Sequence, residues 1–121
     1  MSVHELPAHV HAFLSQFASS LDELAILLVL IESRTEWWDA GSMGNRVGLP
    51  ALSTRRVLDA FASRNLLDIR ISDDVRYRLR PGTAELARDV DAVVGAYRRS
   101  PGAVQRWASA HAARLRSGAG R

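Results

Sequence analysis

The sequence predicts a mainly α-helical domain that carries one small β-hairpin. Three observations predict it. The stretch Trp37 to Arg64 holds two short runs of helical apolar spacing on either side of Gly48-Leu49-Pro50. Next come two runs that alternate apolar and polar residues around the polar turn Ser72-Asp73-Asp74. Further apolar or amphipathic helical segments lie before and after this middle block.

The elements follow in order. Leu6-Pro7 marks a helix start, and Val10, Phe13, Leu14 and Phe17 then fall on one face. Ser20 followed by Glu23 forms a capping box, in which each side chain serves a free amide at the helix start. It opens the segment Leu24 to Ile31, which is apolar on every side and so belongs at the buried centre of the domain. That run is too short to cross a bilayer. Of Trp37 and Trp38, one is expected in the core and the other over the junction with the hairpin. Asp39 caps a helix whose inner face is Ala40, Met43, Gly44 and Val47. Gly44 is a candidate for close packing, and Gly41 predicts a soft or irregular helix.

Gly48 suits a left-handed helix end, and Pro50 can start the next helix. That helix runs from about Pro50 to Arg64, with Thr54, Val57, Leu58 and Phe61 inward and Arg56, Asp59 and Ser63 opposite. In the hairpin, Ile69, Ile71, Val75, Tyr77 and Leu79 are expected to face the core, and Arg70, Arg76, Arg78 and Arg80 to face out. After Pro81-Gly82-Thr83 another helix carries Leu86, Val90, Val93, Val94 and Tyr97 on its apolar side, with Arg98-Arg99 near its end. Ser100-Pro101 starts a last helix with Val104, Trp107, Ala108, His111 and Leu115 on one side. One domain is expected over residues 1–116, with a core at 19–81, flanking helices at 6–18 and 83–116, and a disordered tail at 117–121.

Two short helices joined by a tight turn outline a helix-turn-helix. Followed at once by a hairpin, the chain resembles the winged-helix family, and MarR-type bacterial regulators in particular. The resemblance rests on Trp38-Asp39-Ala40, Val47-Gly48-Leu49-Pro50, Arg55-Arg56-Val57-Leu58, Asn65-Leu66-Leu67 and Tyr77-Arg78-Leu79-Arg80-Pro81. It covers the middle of the chain and implies a winged helix-turn-helix with extra N- and C-terminal helices. It also implies a cytoplasmic regulator that binds double-stranded DNA and forms a homodimer through its terminal helices. The stripe Val10, Phe13, Leu14, Phe17 and the stripe Val104, Trp107, Leu115 are the candidate dimer faces. A second reading folds these stripes into the protein's own core.

In such a regulator the helix 50–64 would enter the major groove. Arg55 and Arg56 stand where a guanidinium can pair with guanine, and Ser53 and Thr54 could bond a phosphate or base edge. Arg70, Arg76 and Arg78 on the wing would meet phosphates or the minor groove, and Asn45 and Arg46 the backbone. Two copies would place two reading helices on half-sites roughly 34 Å apart. Charge is distributed in that sense. Met1 to Glu36 has 1 Arg against 5 carboxylates, and Trp37 to Arg80 has 8 Arg against 5 Asp. The alternative is that these arginines only solvate outer faces. Against DNA binding stand Asp73-Asp74 at the wing tip, the shortness of the wing, and Asp59 one turn after Arg55.

Other chemistry finds little support. There are 0 cysteines, so no thiolate metal site, disulfide or cysteine nucleophile exists. His9 and His11 point to different sides of a helix and could not grip one ion together; with His4 they read as exposed helix histidines. No nucleophile elbow, phosphate-binding glycine loop or zinc-protease helix occurs, so no enzyme and no cofactor are expected. The function alternative to DNA binding is a winged-helix module that binds another protein.

Overall fold

The computed structural model describes residues 7–106. The order is α1 (Ala8–Phe17), α2 (Leu21–Glu32), α3 (Ala40–Val47), α4 (Ala51–Ser63), β1 (Leu67–Ile71), β2 (Val75–Leu79) and α5 (Ala84–Arg99). Residues 101–106 are again helical. Among the described residues no single helix is long and apolar enough to cross a membrane. Trp107, His111, Leu115, His4 and the tail 117–121 lie outside the described residues, so the expectations for them stand where the sequence leaves them.

The starts of α2, α3 and α5 are capped by side chains. Ser20 Oγ accepts the Glu23 amide at 3.1 Å, while Glu23 reaches back to the Ser19 amide and hydroxyl. Asp39 accepts the Ser42 amide at 2.6 Å, and Thr83 accepts the Leu86 amide at 3.0 Å. Gly48 ends α3 with φ of 78°, the left-handed conformation that a side chain disfavours. α3 is a regular helix through Gly41, so the irregularity expected there is absent.

α2 is the central helix, with Ile26, Leu27 and Leu30 fully buried. α1 packs on α2 and α5, α3 packs on α4, and α4 packs on β1. Phe17 stacks between Phe13 and Phe61, with ring centroids at 4.7 and 5.6 Å. Arg64 at the end of α4 donates to the Gln16 carbonyl and ties that end to α1.

This packing corrects the expected dimer face. Val10, Phe13, Leu14 and Phe17 are all buried in the protein's own core, as is Val104. The stripe on α1 is therefore an internal surface. An amphipathic pattern states that a face is covered but not by which chain.

The hairpin pairs Leu67 with Leu79, Ile69 with Tyr77 and Ile71 with Val75. Tyr77 and Leu79 are buried and Val75 is half-buried, as expected, and Leu67 is buried with them. Ile69 and Ile71 are not: they are 45% and 77% exposed. The hairpin runs out past the edge of the core, so its inner face loses cover toward the tip. On the other side of β2, Trp38 forms a bridge to Tyr77. Trp38 also packs against the core and donates Nε1–H to Ser33 Oγ at 3.0 Å.

Candidate nucleic-acid interface

α3 and α4 meet at a close turn. The amides of Gly48 and Leu49 both donate to the Gly44 carbonyl at 2.8 Å. A Cβ on Gly44 would stand 2.6 Å from the Leu49 carbonyl oxygen, so only glycine permits this approach. The turn leaves the first residues of α4 protruding: Ala51, Leu52, Ser53, Arg55 and Arg56 are exposed. Asn45 and Arg46 on α3 are exposed as well.

Thr54 departs from the expectation. It is fully buried, and its hydroxyl donates to the Pro50 carbonyl at 2.9 Å. It belongs to the α3–α4 contact and offers nothing to a ligand. The inward spacing with Leu58 and Phe61 already placed it on that face.

Most of the remaining arginines already have partners. Arg55 lies 3.9 Å from Asp59, one turn along α4. Arg46 lies 4.0 Å from Glu32, and Arg76 holds Asp74 at 3.2 Å. Arg78 and Arg80 share Asp68, at 3.6 and 3.3 Å. Such exposed pairs are each worth about 0–1 kcal/mol and can exchange for a phosphate at little cost. Arg56 has no ion pair with another described residue.

Trp38 packs on the core and Trp37 lies over the hairpin, as expected of the pair, but the arginine partners of Trp37 were not foreseen. Its ring lies under two guanidinium groups, Arg70 at 4.7 Å and Arg78 at 4.4 Å from its centre. The two arginines are diagonal neighbours across the hairpin, on the face turned from the core. Their shared face was readable from the alternation; the stacking of both on Trp37 was not. The ring gives the two wing cations a common contact.

The cleft between α4 and the wing is acidic. Asp39, Asp73 and Asp74 line it with Arg55, Val75 and Tyr77. The Asp39 carboxyl is held below its ordinary range chiefly by its hydrogen bonds from Ser42, with Arg76 adding to the effect. Tyr77 donates its hydroxyl to Asp59, the same carboxylate that pairs with Arg55. Burial, followed by the bond to Asp59, pushes the phenol up to about 12.

A raised phenol favours the neutral form in the fold. Its stabilisation is therefore complete below pH 10 and is lost as pH rises through about 12. An absorbance titration of tyrosinate should show one group ionising well above the ordinary range, and Asp59→Asn should bring it down. An unchanged titration in Asp59→Asn would contradict the hydrogen bond.

No family model matches the sequence, and no curated protein matches it significantly. Solved structures do. The AntR antimony-specific transcriptional repressor matches with a TM-score of 0.57 and 16% identity, over 75% of this chain and 79% of that one. NolR from Sinorhizobium fredii matches with a TM-score of 0.54 and 25% identity, over 74% of this chain and 86% of that one. The fold is a winged helix. In its terms α3 and α4 are the helix-turn-helix, β1 and β2 are the wing, and Trp38 supplies a one-residue third strand.

Proposed function

We propose that this winged-helix protein is a cytoplasmic transcriptional regulator that binds double-stranded DNA with α4 in the major groove. The observation that carries the reading is the start of α4. Ser53 and Arg56 project from it into solvent beside Leu52, which is 64% exposed, on a helix held by a close helix-turn-helix contact. Arg56 can pair with a guanine edge, Ser53 can bond a phosphate, and Leu52 can lie against a thymine methyl. Arg55, Asn45 and Arg46 flank this tip, and Arg70 and Arg78, fixed on Trp37, meet phosphates beside it. Arg76 stands near Asp74 and joins only if that pair opens.

The AntR likeness supports the regulator reading, since that protein is a transcriptional repressor. Its antimony specificity does not transfer with it. This chain has 0 cysteines and so offers no thiolate to a soft metal or metalloid. The narrower likeness to MarR-type regulators rests on the sequence segments alone. A homodimer remains part of the proposal, because two copies would read two half-sites, but α1 is not its face.

One observation favours the alternative, a module that binds another protein. Arg46, Arg55, Arg76 and Arg78 are paired within the molecule, and the cleft beside α4 is acidic. The two readings separate on Arg56. Arg56→Ala should weaken binding to duplex DNA by about 1–3 kcal/mol. Arg88→Ala, on exposed α5 surface, should leave it within about 0.5 kcal/mol. Equal losses, or none from Arg56, would remove α4 as the reader.

A further inference from the structure

Among the described residues, β1 is the open edge of the wing. The Trp38 amide donates to the Tyr77 carbonyl, and the Tyr77 amide to the Trp38 carbonyl, both at 2.8 Å. The main-chain groups of residue 77 therefore face Trp38. Directions alternate along a strand, so those of Arg76 and Arg78 face β1, where they meet Arg70 and Asp68. The Arg80 amide on the Leu66 carbonyl, at 2.9 Å, continues the same phase. It follows that the N–H and C=O groups of Leu67, Ile69 and Ile71 point away from β2, toward the unpaired edge. Beside them stand the side chains of Ile69 and Ile71, exposed on the wing. Unpaired main-chain groups flanked by exposed isoleucines form a template for another strand.

The edge itself identifies its occupant. Let a second copy of Leu67-Asp68-Ile69-Arg70-Ile71 run antiparallel with Ile69 on a two-fold axis. Ile69 then faces the second copy's Ile69, Leu67 faces Ile71, and Asp68 faces Arg70. The outward main-chain groups meet in hydrogen-bonded pairs. The charged residues fall in the alternate pairs, where facing side chains come closest. A slip of two residues one way sets Asp68 on Asp68, and the other way Arg70 on Arg70, and facing like charges are unfavourable. A slip of one residue sets inward main-chain groups against outward ones. A single register thus satisfies the backbone and the apolar side chains and sets Asp68, which Arg78 and Arg80 also hold, opposite Arg70 and not opposite a like charge. The geometry points to an edge-to-edge pairing of β1 between two copies of this chain. The contact is small, so association is weak and follows concentration. It leaves Ser53 and Arg56 outside the paired strands.

The test is sedimentation velocity without DNA over a wide range of protein concentration, so it stands separately from the regulator reading. Wild type should shift from monomer to dimer as concentration rises. Ile69→Pro removes an N–H that points to the open edge and not into the hairpin, so the wing survives. It should weaken the dimer by about tenfold or more, the loss of roughly 1.4 kcal/mol or more. Arg70→Asp and Asp68→Arg should each weaken it, since each sets like charges opposite one another. An equimolar mixture of the two restores opposite charges and should restore the dimer. Circular dichroism of each variant confirms that it is folded. A monomeric wild type at every concentration would overturn the proposal. So would a dimer that folded Ile69→Pro leaves intact, or folded charge variants whose mixture does not recover.

Discussion

Phe17→Ala should destabilise the protein by about 3–5 kcal/mol, and by the same amount at every protein concentration. Phe17 is fully buried, with Phe13 on one side and the edge of Phe61 on the other. Removing the ring deletes the aromatic contacts between α1 and α4 and leaves a cavity that rigid helices cannot close. If the stripe on α1 were instead a dimer face, the loss would appear as weaker association and as a destabilisation that grows with protein concentration. Chemical unfolding at two well-separated concentrations distinguishes the outcomes. A midpoint that falls with dilution only in wild type would return α1 to an intermolecular role.

Gly44→Ala and Gly41→Ala should change stability in opposite directions, although both replace a helical glycine. Helix propensity alone favours alanine by about 1 kcal/mol at each position. At Gly41 the new Cβ would find only Asp39 Oδ1, at 3.9 Å, so the gain should be realised. At Gly44 it would stand 2.6 Å from the Leu49 carbonyl oxygen and 3.1 Å from the Thr54 hydroxyl. A backbone oxygen inside the turn cannot step aside, so the helix pair must separate. Overpacking of this kind should cost about 1–3 kcal/mol and tilt the start of α4. Thermal unfolding of both variants checks the signs. A stabilised Gly44→Ala would mean that α3 and α4 do not approach as closely as described.

Much of this architecture was legible in the residues. Asp39, Gly48 and Pro50 mark the helix-turn-helix because each answers a local backbone requirement, and local requirements are written locally. The same holds for Ser20 and Glu23 at the start of α2. Facts that depend on how far the core extends were not legible. Alternation assigns Ile69 and Ile71 to the face of Leu67, yet only the packed structure shows that the core ends before them. The spacing of Val10, Phe13, Leu14 and Phe17 shows a covered face without naming the cover. Among the site residues, Thr54 shares the inward phase of Leu58 and Phe61, so its burial could be read. The stacking of Arg70 and Arg78 on Trp37 joins residues more than thirty apart in sequence, and no local pattern encodes it.

Duplex DNA is the expected ligand of the exposed start of α4. The most direct measurement is a fluorescence-anisotropy titration of generic duplex DNA at low and moderate salt, with wild type beside the double variant Arg55→Ala, Arg56→Ala. Wild type should bind, its affinity should fall steeply as salt rises, and the double variant should lose most of the affinity and part of the salt dependence. Equal, negligible binding by both proteins at low salt would contradict this expectation and leave a protein partner as the ligand of this surface.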